Sequence, residues 1–282
     1  MRILVTGATG GMGNMIINHL LNQNHEVIAT ARDIEKAKQC SYYNRVTFIP
    51  YDINSNSQEN LFDFFQRPDS MIHVAWEKLN DYKDSNHMDL FLKNHQNFIS
   101  NLLSNGLKDF NGIGTCYECG LHEGELFEDC KTPPTLPYAE AKNELRQFVE
   151  KECIKHQATY KWIRIFYVFG EVVGRKNLYT LLKQAISNRD KIFNMSGGEQ
   201  IRDFLTPDEI AQTIIKISLQ TKVQGVINCC SGKPVKLKEF VQEFLDNNNY
   251  HIDLNLGYYP YPDYEPMVTW GNKNKLNQIL NS

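Results

Sequence analysis

The chain has 282 residues, enough for one large core or two closely joined lobes, with 41% hydrophobic and 22% charged residues. A formal net charge of −3 excludes a globally basic surface for nucleic acid or anionic membrane, and no apolar run approaches the length of a membrane span. Seven cysteines, odd in number and without a framework, predict reduced thiols and a cytoplasmic protein, and the first apolar run is too short for a signal peptide.

RILVTG (2–7) is predicted as a buried strand, followed by helical periodicity in MGNMIINHLLNQ (12–23). EVIATAR (26–32), VTFIPYD (46–52) and MIHVAW (71–76) are read as the second to fourth strands. The stretch 90–106 has helical period and ends on a C-cap glycine, and WIRIFYVFG (162–170) is another strand. Further helices are predicted over 207–218 and 237–246. Strands alternating with helices imply an α/β fold of the doubly wound, Rossmann type: a parallel sheet covered on both faces. No internal repeat or low-complexity linker interrupts it.

Gly7, Gly10 and Gly13 form G-x-x-G-x-x-G between the first strand and its helix, in a loop that also holds Thr9, Gly11 and Met12. Glycines there permit a tight turn and let phosphates approach the helix N-terminus, so the loop predicts dinucleotide binding. An NAD site usually ends its second strand on a carboxylate, but here the strand ends Ala31-Arg32. A guanidinium welcomes a 2′-phosphate, which favours NADP(H) over NAD(H). Asp52 and Ile53 follow the third strand, where a carboxylate reaches the adenine amino group or caps the next turn.

Residues 114–120, GTCYECG, contain a C-x-x-C at Cys116 and Cys119, but no second pair completes a zinc site and no metal is expected. In PYAEAK (137–142), Tyr138 and Lys142 share a helix face. An ammonium beside a phenol stabilises the phenolate, so the pair can shuttle a proton while hydride moves to a carbonyl carbon. His73 is read as a satisfied strand histidine, and Cys229-Cys230 as a packed strand end.

With TGATGGMG, YDI, MIHVAW, GTCYECG, PYAEAK, RIFYVFG, GGEQIRDF and GVINCCSG, the chain resembles the extended short-chain dehydrogenase/reductase family over nearly its full length. The resemblance implies a dinucleotide-binding domain over 1–167, rejoined by 204–232, and a smaller mixed C-terminal substrate-binding lobe from 168–203 and 233–282. It makes Tyr138 the acid/base, with Lys142 holding the nicotinamide ribose and lowering the tyrosine pKa. Thr115 becomes the hydroxyl that steadies the substrate carbonyl. The cofactor site extends to Val74, Ala75, Asn94 and Phe166, with Asn94 near a proton path. Trp76 and Tyr117 are placed against a sugar, and Arg202 on a nucleotide diphosphate. Two positions depart from the family: Gly11 replaces a bulkier residue and Glu171 a proline.

Dehydratases of this family carry Asp-Glu after the threonine, where this chain has Cys116 and Tyr117. The expectation is an NADPH-dependent 4-ketoreductase of a nucleotide-linked 4-keto-6-deoxysugar, dTDP-linked, serving deoxysugar biosynthesis for surface polysaccharide. The alternatives are a 4-epimerase with retained NAD and a non-catalytic NADP(H) sensor. The resemblance also implies a homodimer.

Overall fold

The computed structural model describes residues 1–55 and 59–281. Its frame is a seven-stranded sheet of β1 (Arg2–Thr6), β2 (Glu26–Thr30), β3 (Thr47–Phe48), β4 (Ser70–His73), β5 (Asp109–Thr115), β6 (Thr159–Ile165) and β7 (Gly225–Cys229). The order is β7-β6-β5-β4-β1-β2-β3, and every pairing is parallel. The strands are short apolar runs because both faces are covered. Ile3 and Val5 pack with α1 (Gly11–Asn22) and α5 (Pro207–Leu219), while Leu4 between them points to the opposite core. That second core is built with α2 (Leu92–Ser104) and α3 (Pro137–Lys155). From β1 the chain turns to β2 on one side, and β4 lies on the other, so a crevice opens beyond their carboxyl ends.

Three expected strands depart most from their apolar runs. The third narrows from 46–52 to Thr47–Phe48 at the sheet edge, where only β2 offers partners. The fourth stops at His73, so that 74–76 turn away to wall the crevice. The run 162–170 divides after Ile165, because Tyr167–Val168 leaves the sheet to pair with Phe204–Leu205. At the fourth strand and in 162–170 hydrophobicity continues but the pairing partner does not, whereas beyond Phe48 the Ile49 and Tyr51 nitrogens still donate to the Ala29 and Ala31 carbonyls.

The remaining strands make two-stranded ribbons, among them Ile192–Asn194 with Asp253–Asn255 and Ile201–Arg202 with Val235–Lys236. A separate apolar cluster, including Leu182, Phe193, Val241 and Leu245, joins α4 (Leu178–Ser187) to α6 (Leu237–Asn247).

The reduced-thiol expectation needs one correction. Cys119 and Cys130 form a disulfide with their Cα atoms 5.8 Å apart, leaving Cys40, Cys116, Cys153, Cys229 and Cys230 free. A 3-10 turn over Cys116–Cys119 folds Cys119 into a small core with Leu126, Phe166 and Cys230, against which Cys130 packs. The partner of Cys119 is thus outside the C-x-x-C, where spacing carries no signal.

Candidate active site

Beyond the carboxyl ends of β1 and β4 lies a groove of about 690 Å³, lined by residues 7 and 9–13 together with Arg32, Asp52, Ile53, Val74, Ala75 and Trp76. Gly7 takes φ +68°, and a Cβ there would lie 2.8 Å from the Ala75 nitrogen, so the two loops meet only because that position is bare. A Cβ at Gly13 would strike the Gly7 carbonyl oxygen. Gly10 caps α1 without a side-chain hydrogen bond, and the first turn holds no acid, so its N–H groups face the groove unopposed. This cradle fits a dinucleotide diphosphate. Arg32 is exposed at the end of β2, beside Lys36. Asp52 Oδ1 accepts from the backbone and side-chain nitrogens of Asn54 at 3.0 and 3.1 Å, so it caps the next turn while lining the groove.

Through Met12, Val74 and Trp76 the groove runs into a second cavity of about 490 Å³. Thr115, Tyr138, Lys142 and Phe166 face it. Thr115 ends β5, and its Oγ1 accepts from Tyr117 N at 3.3 Å, which leaves the hydroxyl proton to donate into the cavity. Pro137 starts α3 at a position needing no N–H, and Tyr138 and Lys142 follow on one buried face. Tyr138 stacks on Tyr82 with centroids 4.9 Å apart, and the Lys142 Nζ sits 4.5 Å over the Trp76 ring and 5.3 Å over Trp162.

The expected effect of Lys142 on Tyr138 is not what this geometry produces. Burial pushes the phenol up, Tyr82 pushes it further, and Arg175 is the cation acting against them. Lys142 is itself pushed down to about 8 by burial, against the opposing pull of Glu118 and Glu77. Its ammonium is aimed at the two indoles.

Two further expectations meet a different arrangement. Asn94 is buried away from both cavities, and its Nδ2 donates to Asn54 Oδ1 at 2.7 Å. Arg202 lines the second cavity, but its Nη2 donates to Glu265 Oε2 at 2.9 Å, and the guanidinium lies 4.9 Å from the Tyr167 centroid. Tyr117 likewise gives its hydroxyl proton to Glu265 Oε1, at 2.9 Å. A carboxylate brought from near the C-terminus therefore pairs with Arg202 and Tyr117, two of the residues expected to meet the substrate.

Glu265, Tyr82, Arg175 and Glu118 were not legible as site residues. Glu118 is buried beneath the turn, accepting from Thr115 N and Trp162 Nε1, each at 2.9 Å, beside Arg164. Its signal was the Thr115–Glu118 spacing of a capping box. Arg175 donates to the Leu79 carbonyl and to Tyr82 Oη, and Asn80 donates to the Gly174 carbonyl at 2.9 Å. Two loops are thereby clasped over the junction of groove and cavity. Gly11 explains its own departure from the family pattern: a Cβ there would lie 2.7 Å from Val172 Cγ1 and 2.8 Å from Val173 N. The clasping loop occupies the space of a bulkier side chain.

Among the described residues no cluster of three or more His, Cys, Asp or Glu could hold a metal, and no helix is long and apolar enough to cross a membrane. Residues 3–230 match the NAD dependent epimerase/dehydratase family. A dTDP-6-deoxy-L-talose 4-dehydrogenase (NAD(+)) from Aggregatibacter actinomycetemcomitans is 30% identical over 97% of this chain and 100% of its own. A GDP-6-deoxy-D-talose 4-dehydrogenase from the same organism is 21% identical over 99% and 91%. The UDP-glucuronic acid 4-epimerase of Bacillus cereus, solved with UDP-glucuronic acid and NAD, shares the fold at a TM-score of 0.81 and 23% identity, over 100% of this chain and 93% of that one. With its glycine cradle, its Thr-Tyr-Lys cavity and a match over most of its length, the chain belongs to the NAD-dependent epimerase/dehydratase family and is an NAD(P)-dependent oxidoreductase of the extended short-chain dehydrogenase/reductase type.

Proposed function

We propose that the protein moves hydride at C4 of a nucleotide-diphosphate-linked 6-deoxyhexose, dTDP-linked by preference. It reduces the 4-keto group in the biosynthetic direction and oxidises the C4 hydroxyl in reverse. The observation that carries this reading is the meeting of Thr115, Tyr138 and Lys142 where the dinucleotide groove opens into the sugar-sized cavity. A bound nicotinamide supplies or takes the hydride at the C4 carbon. Tyr138 delivers the matching proton to the C4 oxygen, or removes it in reverse, and the free Thr115 hydroxyl proton steadies that oxygen as charge builds on it. Lys142 sits one turn along α3 in the same cavity, and in this reading it holds the cofactor's ribose. Cys116 follows Thr115 with its thiol pushed up to about 12 by burial, so elimination of water finds no base there. The 4-dehydrogenase named among the relatives supports the same carbon and the same sugar class.

The cofactor we favour is NAD(H). Glu77 lines the groove, and the 30%-identical 4-dehydrogenase relative is named for NAD(+). NADP(H) is the second reading, supported by Arg32 and Lys36, which both line the groove. Steady-state oxidation of NADH and NADPH with a dTDP-4-keto-6-deoxyhexose, and reduction of NAD⁺ and NADP⁺ with dTDP-6-deoxytalose, tests both readings. Turnover in both directions with a higher kcat/KM for NADH is expected. Interconversion of C4 epimers with no net change in cofactor would overturn the reductase reading in favour of an epimerase. A higher kcat/KM for NADPH, lost in Arg32→Ala, would return the cofactor to NADP(H).

A further inference from the structure

Between the groove wall and α2 runs a chain of four side chains, three of them buried, that the hydride chemistry does not use. Thr6 Oγ1 accepts from the backbone nitrogens of Val74 and Ala75 at 3.1 and 3.2 Å and lies 3.0 Å from His73 Nδ1. His73 Nε2 is 2.7 Å from His95 Nδ1, and His95 Nε2 is 3.0 Å from Glu77 Oε2. The other carboxylate oxygen, Glu77 Oε1, accepts from Asn54 Nδ2 at 3.2 Å. Both imidazoles are buried, at 1% and 0% exposure, so no water is at hand to repair a missing partner.

The protons in this chain have one order that satisfies every atom. A hydroxyl oxygen has two lone pairs, and the Val74 and Ala75 amides use both. Thr6 must then give its own proton to His73 Nδ1. His73 carries its proton on Nε2 and donates to His95 Nδ1, and His95 carries its proton on Nε2 and donates to the carboxylate. In the reverse order a third donor would face Thr6, and one buried amide would lose its partner, at a cost of about 1–3 kcal/mol. Burial holds both imidazoles below their ordinary range, with the Lys142 cation acting the same way on each. Burial alone would raise Glu77, but His95, Asn54 and Arg32 together bring it below its ordinary value.

We propose that Glu77 is a positioning residue: as the terminal acceptor it completes and holds the proton order that Thr6 begins, and so keeps fixed the 74–76 wall shared by the cofactor groove and the neighbouring cavity. Ala75 in this wall is the backbone against which Gly7 closes. Trp76 stacks on His95 with centroids 4.5 Å apart, and its Nε1 donates to His87 Nδ1 at 3.1 Å. His87 Nε2 then lies 2.8 Å from the Asp81 carbonyl oxygen, so this ring too has its proton on Nε2. Lys142 rests on the indole so placed. A distortion of the chain at Glu77 therefore reaches the phosphate loop on one side and Lys142 on the other.

The inference rests on the groove being a dinucleotide site, and its first test uses no ligand. In the full-length chain labelled with ¹⁵N, imidazole nitrogen correlations at pH 7 should show His73 and His95 neutral with the proton on Nε2. A proton on Nδ1 of either ring, or an imidazolium, would overturn the assignment whatever the protein's reaction proves to be. In the second test, Glu77→Leu should scramble these signals and weaken NADH binding on the order of tenfold. Glu77→Gln, whose amide oxygen still accepts from His95, should restore the tautomers and most of the affinity. Glu77→Leu with wild-type NADH affinity would sink the positioning role, and a Glu77→Leu that does not fold leaves the wild-type spectrum as the deciding measurement. Binding of NADH with no turnover of any 4-keto sugar would count against the proposed reaction and not against this device.

Discussion

Tyr138 and Lys142 divide the work of one helix face in a way their spacing does not reveal. The phenol is buried and held protonated, suited to giving a proton to a new alkoxide, and Tyr138→Phe removes that proton alone. The expected fall in kcat is on the order of 10²–10⁴, the usual worth of a positioned general acid, with NADH affinity kept. A variant with wild-type turnover would end the mechanism. Thr115→Val should cost less, because it deletes one donor to the oxygen and leaves the proton source intact. In the proposed reaction Lys142 sets the alkaline limb. With its value near 8, its ammonium is present below that pH and lost above it, so kcat/KM for the cofactor should fall as pH rises through about 8. An unperturbed lysine would hold activity to about 10.5. The stability effect has the opposite sense: the unfolded chain keeps the proton to the higher value, so this site's contribution to stability improves between about 8 and 10.5. A pH–rate profile flat to pH 10 would remove Lys142 from this role.

At the scale of elements, two short segments decide how the site is closed. The turn after Thr115 is anchored by the Cys119–Cys130 disulfide, which closes a loop of sequence separation 11. Thiol titration of the unreduced, denatured chain should find five free thiols, and seven after reduction. Cys130→Ser should lose roughly 3 kcal/mol of stability, the scale of a short closed loop, while leaving Cys116 and the catalytic side chains in place. Seven free thiols before reduction would show the pair to be open. The second segment is the loop at 172–175 lying on the phosphate loop. Gly11→Ala adds a methyl where Val172 and Val173 already pack, and a destabilisation of about 1–3 kcal/mol is expected in denaturant titration. An unchanged midpoint would mean that the loop yields freely.

For the molecule as a whole, the groove belongs to the sheet, whereas the cavity beside it is closed by Arg202 and Glu265 from the irregular C-terminal part. Occupancy of the groove should raise the unfolding midpoint by mass action, with about 2.7 kcal/mol gained at 100 Kd of NADH. A nucleoside diphosphate should add to this in the presence of NADH, dTDP more than GDP. Stabilisation by the nucleoside diphosphate alone, with none from either dinucleotide, would refute the assignment of the groove.

Five of the seven sheet strands, their alternation with helices and the glycine cradle were legible in the residues alone, because buried parallel strands and phosphate turns admit few side chains; β5 was not read as a strand, and β7 only at its Cys229 end. Tyr138 and Lys142 were legible too, since a helix places residues four apart on one face. What sequence could not reach are contacts between distant segments. Glu265 meets Tyr117 and Arg202 across 148 and 63 residues, and Cys130 meets Cys119 outside the motif that drew attention to it. His73 was legible only as a satisfied strand histidine. Its partner His95 lies 22 residues on, and only folding β4 against α2 decides which atom carries each proton. Spacing reports what one element presents along its own length; charge pairing, ring stacking and proton order depend on which elements pack together, and the tertiary structure alone decides that.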